Sequence, residues 1–142
     1  MKHARRMSSP EGRSLLKGPV QIFDQSGKFL AQWKNLMVPW TVRVTARDEV
    51  YVCGASPSHW REEDVQLGIP PKDQLVMKLD TRGRVLSWWK FPLGQWGPEK
   101  KSKPGELAWV HGLGVDAQGN LFLGDIMGKR VQRFTRIGHP SK

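Results

Sequence analysis

Residues able to do chemistry are few in this chain and widely spaced. His111 and Asp125 bracket a stretch of glycines and branched aliphatics, with Asp116 between them. Serine or cysteine nucleophiles work beside a base that a third group orients, and no spacing here supplies that set. No carboxylate pair stands at a spacing that argues for acid–base work. Cys53 is the single cysteine, which excludes an internal disulfide framework. It ends an apolar run with no base nearby in sequence and is expected to be a buried, inert thiol. Asp116 and Asp125 sit at a turn and a strand end, where aspartates usually bond backbone amides. Trp60 and Trp96, in polar segments, are candidates for contact with a ligand or partner. Lys100, Lys101 and Lys103 beside Trp96 mix charge with a stacking surface, as single-stranded nucleic-acid sites do. A solvated loop is the plainer expectation there. The glycine-rich pieces lack the Gly-Lys-Ser/Thr ending and the following helix of a phosphate loop.

The elements that must position these residues are repeated. Val20-Gln21-Ile22-Phe23-Asp24-Gln25-Ser26-Gly27-Lys28-Phe29-Leu30, closing at Trp33, returns as Val76-Met77-Lys78-Leu79-Asp80-Thr81-Arg82-Gly83-Arg84-Val85-Leu86, closing at Trp89, at an offset of 56. Its first half returns once more as Val131-Gln132-Arg133-Phe134-Thr135-Arg136-Ile137-Gly138, 55 residues on. Trp40–Val44 with Val50–Tyr51–Val52 matches His111–Val115 with Leu121–Phe122–Leu123 at an offset of 71. Runs of four to six apolar residues between turn residues are too short for helices and read as strands. Asp24–Gly27, Asp80–Gly83 and Asp116–Gly119 share one chemistry: the first residue bonds the backbone ahead, and the glycine takes a positive φ. Such turns join antiparallel neighbours. The chain is therefore expected to be all-β: two strands, then four, then three, with long insertions at 54–74 and 91–108. Trp33, Trp88, Trp89 and Trp109 are expected to fill space between sheets.

Charge is concentrated at the ends. The formal net charge is +10, of which residues 1–17 carry +4 and residues 129–142 carry +5. Basic ends of this kind are usually solvated; 1–17 is expected to be a poorly ordered segment and 139–142 a tail. No apolar run approaches the roughly 20 residues of a membrane helix, and Met1–Arg13 lacks the apolar core of a secretory signal. Neither observation identifies a compartment.

Val110 through Asp125, followed by Lys129-Arg130-Val131-Gln132-Arg133-Phe134, resembles an NHL repeat from end to end. Val20–Trp33 resembles the closing half of another, and Pro39–Trp89 a complete unit interrupted by an insertion. The resemblance covers residues 18–138 and implies a partial β-propeller of about two to two and a half four-stranded blades. Members of the family usually form six-bladed rings, so missing blades, a truncated frame or self-association through open edges is expected. The resemblance extends distantly to amidating lyases, where histidines from the slot of His111 hold zinc on the ring axis. The sequence departs from that pattern: Trp40 occupies the equivalent slot of the other unit, and Ile126 stands where an arginine would meet substrate. His59 lies in a loop of unplaced position.

In an antiparallel meander the tight turns gather at one end of the strands and the long insertions at the other. The second end, with Trp40, His111 and Asp125 near the innermost strands, is the expected working face. The leading expectation is a binding scaffold for a protein or small ligand, without chemistry of its own. A piece of a zinc-dependent peptidyl-hydroxyglycine lyase, with His111 as one ligand, is the second. An RNA-binding propeller face is the third.

Overall fold

The computed structural model describes residues 19–34, 36–55, 74–95 and 102–137. The N-terminal 1–17, with its expected disorder, and the tail 139–142 lie outside the described residues. Nine strands follow in order: β1 (Val20–Phe23), β2 (Phe29–Trp33), β3 (Val38–Val44), β4 (Val50–Ala55), β5 (Gln74–Leu79), β6 (Val85–Phe91), β7 (Val110–Val115), β8 (Leu121–Asp125) and β9 (Arg130–Phe134). They form three antiparallel meanders of two, four and three strands, ordered β1-β2, β3-β4-β5-β6 and β7-β8-β9. The protein is all-β among the described residues, and no sheet closes on itself. No helix there is long and apolar enough to cross a membrane.

Three boundaries beside the insertions differ from the sequence expectation. Gly54 and Ala55 continue β4, and Gln74 opens β5 as the partner of Ala55. Phe91 likewise ends β6 opposite Gln74. Backbone pairing carries β4, β5 and β6 into the expected insertions, so the connections are shorter than the composition suggested.

The two inner strands of the central sheet, β4 and β5, are buried on both faces. Every residue of β4 is buried, which explains its unbroken apolar run: alternation marks a strand with one wet face, and this one has none. Val50, Val52, Leu75, Met77 and Leu79 pack with Met37 toward β1-β2, joined by Val20, Trp33 and Leu36. Tyr51, Cys53 and Val76 point the other way, onto Leu107, Val110, Leu113, Leu121 and Leu123. Sheets two and three are also tied by directed bonds. Val110 N–H donates to Gln74 Oε1 at 3.0 Å, with the Gln74 side chain wholly buried. The Thr41 hydroxyl donates to the His111 carbonyl, and Arg47 donates to the Ala117 carbonyl.

The β1-β2 sheet is attached differently. Only its Val20 and Trp33 end joins the core. The Trp33 ring lies against the Asp80–Gly83 turn, where a Cβ on Gly83 would come within 2.5 Å of the indole. Trp33 and Trp109 thus pack as expected, but Trp88 and Trp89 do not. They are 59% and 38% exposed, because β6 is an edge strand at the rim with little beyond it.

Candidate functional site

The two residues that share a slot by repeat spacing meet in space. In β3, Pro39 pairs with Gly54 and Thr41 with Cys53, leaving Trp40 as the extra residue of a β-bulge. In β7, Val110 pairs with Asp125 and Gly112 with Gly124, leaving His111 as the extra residue. Bulges bend a strand and re-aim a side chain, and they concentrate beside functional sites. Here two equivalent bulges on neighbouring sheets bring the indole and the imidazole face to face, centroids 4.5 Å apart and planes 23° from parallel. Trp109 closes the group, meeting Trp40 at 6.0 Å and His111 at 5.7 Å, both edge to face.

This aromatic triad leaves polar atoms unused. Trp40 Nε1, Trp109 Nε1 and His111 Nε2 are buried and have no hydrogen-bond partner. Aromatic contact stabilises such a group, but each unpaired buried nitrogen costs about 1–3 kcal/mol. A buried cost of that kind usually marks a group kept for something other than packing.

Asp125 sets the triad's geometry from behind. It is 2% exposed, and its carboxylate accepts the backbone N–H of Ala108, Trp109 and Gly128 at 2.9, 2.8 and 3.0 Å. Ile126 N–H returns a bond to the Trp109 carbonyl. Asp125 therefore holds the backbone that carries the Trp109 indole. Asp116 serves a turn: its oxygens accept Gln118 N–H, Asn120 N–H and the Asn120 side-chain amide. That last bond is the chief reason its carboxyl is held below the ordinary 3.8. Asn120 in turn accepts Arg136 N–H.

Cys53 is buried in the core between sheets two and three, and burial pushes its thiol up to about 11. At that value it is an un-ionised, poor nucleophile near neutral pH. Trp60, Trp96, Lys100 and Lys101, with His59, lie outside the described residues. Lys103 is described: its amide donates to Glu106 Oε2 and its carbonyl accepts from Arg130. The 102–107 segment is thereby pinned to β9.

As a metal centre the site has one suitable donor. His111 is flanked by indoles, which offer no ligand lone pair, and no three His, Cys, Asp or Glu side chains gather among the described residues. The donor set does not fit the three-ligand zinc of the lyase resemblance. Sequence reading missed Trp109 as a site residue and both bulges. A tryptophan next to a repeated slot was the available signal for the first; bulges leave no local signature. No family model matches the sequence, and no curated protein matches it.

Proposed function

We propose that this chain is a propeller-type binding scaffold of the NHL kind, and that the Trp40–Trp109–His111 triad is the floor of its ligand face. The observation that carries the reading is the pair of equivalent bulges that stack Trp40 on His111 while three ring nitrogens stay unpaired. Two indole N–H donors and one imidazole nitrogen within a part-buried aromatic cluster suit a ligand with an apolar body and a few polar atoms that reaches into it, such as a peptide side chain or a glycan. Turns 45–48, 80–83 and 116–119 lie at the opposite strand ends of sheets two and three, away from the triad. The repeated meander supports the propeller reading, and the absence of a nucleophile–base pair in the sequence supports a role without chemistry.

The test is binding to immobilised peptide and glycan libraries by the chain and its variants. Trp40→Ala and His111→Ala are expected to weaken any hit at least roughly tenfold. Gln118→Ala, at the far turn, leaves it unchanged. A hit that depends on Gln118 and not on the triad overturns the reading. Stoichiometric zinc that survives dialysis and is lost in His111→Ala would transfer it to the lyase alternative.

A further inference from the structure

Sheets two and three are built alike through their first three strands and differ at the fourth. In sheet two, β6 pairs with β5, setting Trp89 opposite Val76 and Phe91 opposite Gln74. In sheet three the order ends at β9, and the described residues place nothing on its outer edge. Beside that edge lies an open groove of about 540 Å³ between the sheets, walled by Tyr51, Trp89, Phe91 and Phe134, with Lys78 and Arg136 at its polar side. Tyr51 and Trp89 stand parallel at 6.5 Å, and Phe91 meets Phe134 edge-on at 4.6 Å. The aromatic wall belongs to a strand-sized space, not to a packed core: Trp89 is 38% and Ile137 90% exposed.

We propose that β9 and this groove bind an extended, acidic segment of a partner protein as a fourth strand of the third sheet. Strand addition draws affinity from the edge's main-chain groups and specificity from alternate side chains. Arg130, Gln132 and Phe134 share the half-buried face of β9, whereas Val131 and Arg133 point outward. Residues placed across from Phe134 enter the groove and must be apolar. Residues placed across from Arg133 lie beside a cation.

Charge selects the occupant. From Lys129 to Arg136 there are four basic residues and no acidic one. No carboxylate lines the groove. Lys78 is neutralised by its ion pair with Glu49, and Arg130 is spent on the carbonyls of Ser102, Lys103 and Glu106. Arg133, whose guanidinium lies over the Phe122 ring and keeps its charge, and Arg136 remain as the cations an incoming strand meets. Pairing β9 with β9 of a second copy would crowd arginines together, which destabilises a ladder. A strand alternating apolar and acidic residues satisfies both faces.

The experiment uses the full chain and a fluorescein-labelled peptide as long as β6 that alternates valine with glutamate, beside a counterpart with lysine for glutamate. Anisotropy is expected to show saturable binding of the glutamate peptide, weaker for the lysine peptide by roughly tenfold or more and weakened by salt. Hydrogen exchange should slow at Val131–Phe134 on binding. The surface variant R133E/R136E reverses the preference, and Trp89→Ala weakens both peptides. Equal binding of the two peptides, or no protection at β9, overturns the proposal. So does a β9 already protected without peptide: at dimer mass in sedimentation the occupant is a second copy, and at monomer mass it is a segment of this chain.

Discussion

Trp40 and His111 show how far a single position can be followed from sequence. Their equivalence is visible as a repeat offset, because the strands around them repeat in order. Their contact is not, because it depends on a bulge in each strand and on the neighbouring Trp109, and a bulge is a property of pairing, not of one strand's residues. Asp125 is the residue on which that arrangement leans most. Asp125→Ala would strip one buried and two part-buried amides of their acceptor, at a cost of about 3 kcal/mol. Urea unfolding followed by tryptophan fluorescence should show that loss as a lower midpoint. Cys53 makes the complementary prediction. With its thiol buried and pushed up to about 11, it should resist a thiol reagent at neutral pH and react only as urea unfolds the chain, in step with the fluorescence change.

At the scale of elements, the turns were the most legible part of the molecule. Asp24, Asp80 and Asp116 each accept the N–H groups two and four residues ahead, and Gly27, Gly83 and Gly119 sit at φ of 85°, 78° and 84°. A fourth copy was hidden by substitution. Thr45-Ala46-Arg47-Asp48 makes the same turn with the Thr45 hydroxyl accepting the amides of Arg47 and Glu49, and with Asp48 forced to φ 57°. Glycine fits that conformation better, so Asp48→Gly is expected to stabilise by about 0.5–1 kcal/mol in thermal unfolding. The reverse experiment separates two glycines of one kind. Gly27→Ala meets open space and should cost about 1 kcal/mol in backbone strain, whereas Gly83→Ala also collides with Trp33 and should cost about 2 kcal/mol more.

The same turns set an acid limit. Hydrogen bonds hold all three aspartates below their ordinary 3.8: chiefly the Ser26 hydroxyl for Asp24, the Arg84 amide for Asp80 and the Asn120 side chain for Asp116. A carboxylate depressed in the folded state contributes stability that is full above the unfolded value and is lost as pH falls through the folded one. Unfolding temperature should therefore be flat above about pH 5 and drop below about pH 4. Replacing the three with Asn should flatten that drop.

Across the whole molecule, the meander count of two, four and three strands was readable because each sheet boundary coincides with a change of repeat phase. How the sheets meet was less so. Sheets two and three share a continuous core, but among the described residues the first sheet adds to the core of the second with Val20 and Trp33, beside Leu36 of the link that follows. An offset measured along the chain carries no information about that docking. Outward apolar residues such as Val131, 69% exposed, and Leu30, 55% exposed, leave both outer sheets with wettable faces. Self-association through the β1-β2 face is expected, read as a sedimenting mass above 16.2 kDa that falls on Leu30→Glu. A monomer at every concentration would contradict it.

Gln74 has a consequence of a different order. Two oily surfaces laid together gain nearly as much when one slips sideways by a residue, so grease alone aligns them poorly. An amide oxygen sealed between them, accepting the Val110 N–H, works as an index pin: one setting makes that bond and the adjacent ones break it. Gln74, with Thr41 and Arg47, thus turns adhesion between two sheets into a single alignment, on which the meeting of Trp40 with His111 depends.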